Sequence, residues 1–224
     1  MKITLLGFSE TSTIVLLDVA ADANRIKSEQ VEVKIVLNMM QSEAEIRDKW
    51  PLPQSQLTIC TKEQWTPALS EVVMPGVMSA SVCKAVIEDF EMSCGLQREK
   101  LGTIIHPTAA IAQSSIIRPG TWIHPNVSVS SMTDVGFCVG LNRNSSIGHH
   151  CKLHNFVRIN PGAHIAGSCE IGEAATIAIG AHCLEKTKVG AHALVGAGAL
   201  VTRNVDQCAT VIGTPARPIL KKRG

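Results

Sequence analysis

Cysteine and histidine are the side chains of this sequence best suited to chemistry, and there are eight of each. Thiolates can ligate zinc, form disulfides or attack electrophiles, and imidazoles can ligate metals or transfer protons. The cysteines stand at positions 60, 83, 94, 138, 151, 169, 183 and 208, and no two of them form a C-x-x-C pair. Because zinc sites and redox pairs usually need such close spacing, the sequence predicts reduced, buried thiols and no metal site.

The turn at residues 7–11 is a second candidate site. It occupies the place of a nucleotide-binding loop, between an apolar segment and a predicted helix. It lacks the G-x-G-x-x-G pattern, and no acidic residue follows the second predicted strand. Two interpretations stay open: Gly7 and Ser9 bind a phosphate of the substrate, or they only form a tight strand-to-helix turn.

Strands and helices alternate through the first hundred residues, which must position that turn. The predicted strands are residues 2–6, 31–37 and 57–60, and the predicted helices are residues 12–21 and 81–97. Such alternation predicts a small parallel sheet, that is, a Rossmann-like α/β domain. We assign residues 1–100 to it and expect it to bind the substrate.

An apolar residue recurs every six positions in the second half of the chain, without a failed step. These residues are Ile105, Ile111, Ile117, Ile123, Val129, Val135, Leu141, Ile147, Leu153, Ile159, Ile165, Ile171, Ile177, Cys183, Val189, Val195 and Val201. A period of six fits neither a helix nor a simple strand, but it fits a three-sided coil of 18 residues. The sequence therefore predicts a parallel β-helix at residues 101–212, followed by a tail at 213–224.

Stacking follows from the 18-residue coil, because residues 18 apart lie in adjacent coils, about 4.8 Å from one another. Ile105, Ile123, Leu141, Ile159, Ile177 and Val195 are predicted to form one internal ladder. Cys151 and Cys169 also stack, as structural thiols rather than as a metal or redox pair. His106 beneath His124 and His164 beneath His182 are predicted to be turn or surface ladders. Glycine follows the apolar residue at 136, 148, 172, 190 and 196, which predicts corners with positive φ.

Residues 141–163 read LNRNSSIGHHCKLHNFVRINPGA and resemble the hexapeptide-repeat acetyltransferases of the sialic acid O-acetyltransferase and UDP-4-amino-sugar N-acetyltransferase family. The likeness includes HPTA at 106–109, VGAGALVT at 195–202 and GTPAR at 213–217, and it extends over most of the chain. It implies a left-handed β-helix and a homotrimer with active sites between subunits. It also implies acetyl-CoA as the acyl donor and a sugar or nucleotide-sugar as the acceptor.

The resemblance also implies roles for individual residues. His149 falls on the family's general base, which takes a proton from the acceptor amine or hydroxyl as it attacks the thioester. Gly167, one coil further on, supplies a backbone N–H to the thioester oxygen and so also contacts the cofactor. Asn142 falls beside the acceptor, or equally satisfies its own turn. Arg158 falls near CoA and either faces a phosphate or faces solvent.

One departure from the family concerns what holds the imidazole of His149. The family often has Asp or Glu directly after the base, whereas this chain has His150. The stacked positions, Ser131 and Gly167, carry no carboxylate either. We therefore expect a backbone carbonyl or another subunit to orient the ring.

Two alternatives compete with the acyltransferase. Ile147-Gly-His149, followed by His154, also resembles a γ-class carbonic anhydrase, which binds zinc through three histidines between subunits, but the third position is Gln113. A non-catalytic trimeric scaffold is the other alternative.

Charge and composition argue against two further classes of protein, nucleic-acid-binding proteins and membrane proteins. A net charge of +2 does not suggest a nucleic-acid partner, and no apolar run is long enough to cross a membrane, so we expect a cytoplasmic protein.

Overall fold

A computed structural model of the chain describes residues 2–23, 31–37, 42–50, 56–66 and 71–219. The chain divides into two compact units, Met1–Pro107 and Thr108–Gly224. The first unit extends beyond residue 100 because Leu101 is buried and the Gly102 N–H donates to the Val73 carbonyl at 2.9 Å. None of the helices in the described ranges is long and apolar enough to span a membrane.

In its described residues the first unit contains a parallel four-stranded sheet and three α-helices. In chain order the elements are β1 Lys2–Leu6, α1 Glu10–Ala23, β2 Glu32–Val36, α2 Glu43–Asp48, β3 Leu57–Cys60, β4 Val72–Pro75, α3 Ala80–Cys94, a short 3-10 helix Arg98–Lys100 and β5 Ile104–Ile105. The sheet order is β3-β2-β1-β4, with every pairing parallel. The predicted parallel α/β sheet is confirmed, and the three predicted strands and two predicted helices are present.

Helix α2 and strand β4 of this unit were missed, although α2 had a sequence signal. Helix α2 begins with a capping box, in which Ser42 accepts from the Glu45 N–H at 3.3 Å and Glu45 accepts from the Ser42 N–H at 3.1 Å. Its S-x-x-E pattern is the usual signature of such a start. Strand β4 is only four residues long and has no alternating pattern, because Val73, Met74 and Pro75 are all buried.

The second unit is a stack of very short strands. These are β6 Ala110–Ile111, β7 Ile116–Ile117, β8 Trp122–Ile123, β9 Ser128–Val129, β10 Asp134–Val135, β11 Gly140–Leu141, β12 Ser146–Ile147, β13 Lys152–Leu153, β14 Arg158–Ile159, β15 His164–Ile165, β16 Glu170–Ile171, β17 Thr176–Ile177, β18 His182–Cys183, β19 Lys188–Val189, β20 Leu194–Val195, β21 Leu200–Val201, β22 Thr210–Ile212 and β23 Arg217–Pro218. Only β23, in the predicted tail, pairs antiparallel; residues 220–224 of that tail lie outside the described residues.

Three sheets form the faces of the coil. Within the second unit their strand orders are β6-β9-β12-β15-β18-β21, then β7-β10-β13-β16-β19, and finally β8-β11-β14-β17-β20-β22-β23. Pairing partners such as Ile147 and Ile165 are 18 residues apart, so the predicted coil length is confirmed. The repeated parallel strands match a left-handed β-helix.

The apolar ladder fills the interior of this unit. Ile123, Leu141, Ile159 and Ile177 are each 0% exposed. Ile105, the first residue of the predicted ladder, is 38% exposed and so is less enclosed than these four.

Glycines 136, 148, 172, 190 and 196 serve a purpose other than the predicted one. None of them has positive φ; the left-handed residue of a corner is the third after the apolar position, as in His150 after Ile147. A Cβ atom on Gly148 would instead lie 2.6 Å from the backbone nitrogen of Gly167. These glycines allow the next coil to approach closely, and the prediction that they turn the corner is wrong.

We expect Ile159→Ala to lower the free energy of unfolding by about 2–5 kcal/mol, because it opens a cavity in a fully packed ladder. Ile179→Ala is the matched control, since Ile179 is 56% exposed and should change stability by less than about 0.5 kcal/mol. Urea unfolding of both variants measures the difference. Equal losses in the two variants would contradict the packing of the ladder.

Candidate active site

His149 lies at the exposed corner between β12 and β13. The corner is hydrogen-bonded to the coils on both sides. The His150 N–H donates to the Ser131 carbonyl at 3.0 Å, and the His149 carbonyl accepts from the Ser168 N–H at 2.7 Å. The backbone around His149 is therefore fixed, while its side chain remains accessible.

The imidazole of His149 lies directly against Gly167. A Cβ atom added to Gly167 would be 2.7 Å from both Cε1 and Nε2 of His149. The expectation that these two residues are vertical neighbours is confirmed. Within the part of the chain that the structure describes, the Gly167 N–H donates to no protein acceptor.

Glycine at position 167 is required by the imidazole and not by the backbone. Its φ is not positive, so an L-residue could adopt the same conformation. The same corner position carries Ser131 two coils before Gly167 and Glu185 in the coil after it. The missing side chain at Gly167 thus makes room for His149.

A second imidazole contacts the first. The Nδ1 atoms of His149 and His150 are 3.0 Å apart, and the two rings meet edge to face at 85° with centroids 5.2 Å apart. The structure thus offers a side chain, and not a backbone carbonyl, as the partner of the His149 ring. Sequence reasoning treated His150 only as the loss of a carboxylate.

Two stacked thiols lie inside the coil at this corner. Cys151 donates to the Ala166 carbonyl and Cys169 to the Leu184 carbonyl, each at 3.1 Å. The neighbouring Cys169 thiol and burial raise the pKa of Cys151, and burial raises the pKa of Cys183 to about 12. Cys151 and Cys183 therefore stay protonated at neutral pH, whereas hydrogen bonds with the Cys151 thiol and with Thr187 lower the pKa of Cys169. The carbonyl contacts of the two stacked thiols are those of structural groups, as predicted. None of the eight cysteines is in a disulfide, but Cys208 is exposed, so burial was wrongly predicted for it.

Asn142 satisfies its own turn in this structure. Its Oδ1 accepts from the Arg143 N–H at 2.8 Å, and its own N–H donates to the Ile159 carbonyl at 2.8 Å. One of the two predicted interpretations is thus present. A contact between Asn142 and the acceptor stays a prediction.

Arg158 is buried, with 6% of its surface exposed, so the alternative that it faces solvent is wrong. Its Nη1 donates to the Cys138 carbonyl at 2.6 Å and to the Val157 carbonyl at 3.1 Å. The neighbouring strand carries Gly140 opposite Arg158, which leaves room for the guanidinium to reach the preceding coil. A contact with a CoA phosphate stays a prediction, and it would require the guanidinium to leave these carbonyls.

Gly7 and Ser9 form the turn between β1 and α1. Gly7 has φ +75° and donates to the Val36 carbonyl at 3.0 Å, and the Ser9 carbonyl accepts from the Thr13 N–H at 2.7 Å. Gly76, which follows β4, approaches so closely that a Cβ atom there would collide with the Gly7 carbonyl. Ser79 caps α3 without a side-chain hydrogen bond to the helix. Sequence reasoning missed Gly76 and Ser79 because it missed β4.

Four of the remaining histidines contact other polar side chains. His154 Nε2 lies 3.0 Å from Glu170 Oε1, and hydrogen bonds from His154 and Lys188 lower the pKa of Glu170. His164 and His182 stack on the surface with ring centroids 5.2 Å apart, as predicted. His106, 3.0 Å from Asp22, and His124 are both buried, so the alternative that this pair forms a surface ladder is wrong. In the described ranges no three His, Cys, Asp or Glu side chains are placed to hold a metal ion.

Known structures resemble this chain over nearly its whole length, although no protein-family model and no curated protein matches it. The acetyltransferase domain of PglB from Neisseria gonorrhoeae FA1090 matches with a TM-score of 0.79 at 23% identity, covering 97% of this chain and 99% of that one. A mutant of perosamine N-acetyltransferase from Caulobacter crescentus, in complex with CoA and GDP-perosamine, matches with a TM-score of 0.74 at 17% identity, covering 98% and 97%.

A third solved structure agrees with these two. WeeI from Acinetobacter baumannii AYE matches with a TM-score of 0.64 at 20% identity, covering 98% of this chain and 100% of that one. The PglB domain also matches in its complex with acetyl coenzyme A, with a TM-score of 0.77 at 23% identity, covering 97% and 98%. The chain thus shares its fold with these proteins.

Proposed function

We propose that this chain, which shares the fold of sugar N-acetyltransferases, is an acyl-CoA-dependent transferase that acetylates an amino or hydroxyl group of a sugar or nucleotide-sugar. The observation that carries the proposal is the packing of the His149 imidazole against Gly167, with Nε2 2.7 Å from the place of a Cβ atom. A base and a free backbone N–H thus lie together at an accessible corner. Acyl transfer from a thioester needs both groups.

The reaction follows from that arrangement. The acceptor nitrogen or oxygen attacks the carbonyl carbon of acetyl-CoA while Nε2 of His149 takes its proton. The carbonyl oxygen gains negative charge and accepts from the Gly167 N–H, a donor worth about 10²- to 10³-fold in rate. The C–S bond then breaks, and the imidazolium returns the proton to the CoA thiolate. The products are the acetylated acceptor and CoA.

The α/β unit is proposed to bind the nucleotide part of the acceptor. Its strand order β3-β2-β1-β4 is the order in which doubly wound nucleotide-binding sheets begin, and ligands of such sheets bind where the order reverses. Here that place lies between β1 and β4, where Gly7 and Ser9 precede α1, and Gly76 and Ser79 precede α3. The perosamine N-acetyltransferase complex contains GDP-perosamine, which supports a nucleotide-sugar acceptor.

A homotrimer with active sites between subunits is part of the proposal. The exposure of His149 supports it, because the base is open to solvent in the single chain and a second copy could enclose the acyl group.

The test is an assay of purified protein with acetyl-CoA and a panel of UDP- and GDP-linked amino sugars. We expect release of CoA thiol that depends on one acceptor, together with a mass gain of one acetyl group on that acceptor. A reaction without acceptor is the control for hydrolysis. A chain that neither transfers acetyl groups nor binds CoA at millimolar concentration would be the non-catalytic scaffold.

We expect purified protein to contain no stoichiometric zinc and His154→Ala to leave acetyl transfer unchanged. The γ-class carbonic anhydrase arrangement would need His154 as a ligand, whereas His154 is held by Glu170 and Gln113 stands at the third ligand position. Metal analysis and transfer assays with and without a chelator measure this. One zinc per chain, lost in His154→Ala, would favour the carbonic anhydrase alternative.

A further inference from the structure

We infer that His150 is the positioning residue of this site: a neutral His150 imidazole accepts a hydrogen bond from Nδ1–H of His149 and so leaves Nε2 of His149 free to act as the base. The inference rests on the proposed function, since it assigns His150 a task in the same reaction. It also explains how the site functions without the carboxylate that often follows the base in similar enzymes.

The contact between the two rings allows only two arrangements of neutral imidazoles. At a separation of 3.0 Å, one Nδ1 carries the shared proton and the other accepts it. If His149 donates, its Nε2 has a lone pair and can take a proton from the acceptor. If His150 donates, His149 carries its own proton on Nε2 and cannot act as a base there. Only the first arrangement fits the reaction.

The surroundings of each ring favour the first arrangement. The Nε2 edge of His149 packs on Gly167, beside the free N–H where the thioester carbonyl would bind. His150 is exposed, and in the described part of the chain the contact with His149 is the one hydrogen bond of its ring, so water can accept from Nε2–H of His150. The preceding corner contributes Ser131 and Met132 and the following corner Gly167 and Ser168. None of these four side chains is charged or can replace His150 as a carboxylate would.

The backbone of the corner aims His150 at its neighbour. His150 has φ +56°, in the left-handed region that few residues other than glycine and asparagine adopt readily. Its N–H donates to the Ser131 carbonyl at 3.0 Å, which holds the residue in this conformation. The left-handed turn therefore places two consecutive side chains where their rings meet edge to face.

Substitutions at position 150 can separate hydrogen-bond acceptance from mere packing, because the β-helix itself shows which residues its corners tolerate. Asn126 and Asn144 have φ +57° and +59° at other corners, and Lys186 has φ +63° at the equivalent position two coils later. Asparagine offers a neutral acceptor, lysine only donors, and glycine neither. All three substitutions of His150 should therefore preserve the left-handed backbone conformation of this corner.

The experiment compares kcat and KM for His150→Gly, His150→Lys and His150→Asn. We expect glycine and lysine to lower kcat by at least about 10-fold with KM for acetyl-CoA unchanged; an imidazole in the wrong tautomer loses up to about 10⁴-fold in a serine protease. We expect asparagine to restore kcat to within a few-fold of the unmodified protein. His192→Gly is the matched control, since His192 has φ +58° at a distant corner and should not change activity.

The outcomes distinguish this inference from the proposed function. If the unmodified protein transfers acetyl groups and His150→Gly is equally active, the assignment of His150 is wrong and the proposed function stands. Rescue by lysine but not by asparagine would likewise overturn it. Independently of turnover, ¹⁵N NMR of the imidazoles should show His149 as the Nδ1–H tautomer, and an Nε2–H tautomer would contradict the inference even in an inactive protein.

Discussion

His149→Ala should lower kcat for acetyl transfer by about 10²- to 10⁴-fold, the range by which a positioned general base accelerates a reaction. The substitution removes the imidazole that takes the proton of the attacking amine or hydroxyl in the proposed reaction. KM for acetyl-CoA should change little, because Gly167 and the rest of the coil remain in place. Steady-state assays with saturating acceptor measure both constants.

The stability of this variant should not change, which makes the result interpretable. His149 is exposed and its side chain bonds only to His150 in the described residues, so the free energy of unfolding should shift by less than about 0.5 kcal/mol. His154→Ala removes a half-buried imidazole five residues away and is the control. Retention of more than a tenth of the original kcat in His149→Ala would remove this residue from the mechanism.

Gly167→Ala should also lower kcat, by about 10²-fold or more, without unfolding the protein. The new Cβ atom would lie 2.7 Å from Cε1 and from Nε2 of His149, so the imidazole must move. A displacement of about 1 Å in a catalytic group can cost about 10²-fold in rate. The φ angle of Gly167 suits alanine, so thermal unfolding should stay close to that of the original chain. Steady-state kinetics and a thermal melt measure the two effects.

A double variant shows whether Gly167 acts through His149. If alanine at 167 only displaces the ring, it should cost much less in a chain that already carries His149→Ala, because the two substitutions remove the same interaction. Ser131→Ala, at the same corner of the preceding coil, is the control and should leave kcat unchanged. If the fold-loss of kcat in the double variant equals the product of the two single fold-losses, Gly167 has an effect independent of the imidazole.

Much of the β-helix could be predicted because each coil repeats the preceding one, shifted along the axis of the helix. Apolar residues such as Ile147 and Ile165 belong to a six-residue repeat, and three repeats make one coil. Any two positions 18 apart must therefore stack, and the contact between His149 and Gly167 follows from counting alone. No knowledge of side-chain conformation is needed for that step. The parallel sheet of the first unit was predictable for a similar reason, since strand and helix alternate along the chain.

What could not be predicted depends on conformations that residue spacing does not determine. The approach of His150 to His149 needs the left-handed φ of His150, and sequence reasoning had assigned positive φ to the glycines that follow the apolar positions instead. The burial of Arg158 depends on the absence of a side chain at Gly140 in the adjacent strand. Strand β4 joins the sheet at the far side of β1, so no local pattern reveals its neighbour.

The coil length of 18 residues also limits how this site can change during evolution. Inserting or deleting six residues between His149 and Gly167 would keep the apolar period but carry the glycine to another face of the prism. Inserting a whole coil of 18 residues would return the glycine to the same face. It would nevertheless place one additional coil between the His149 imidazole and the Gly167 N–H. Length variation is thus tolerated above or below the site and forbidden within it, so the interval between these two residues should be invariant in any active descendant of this protein.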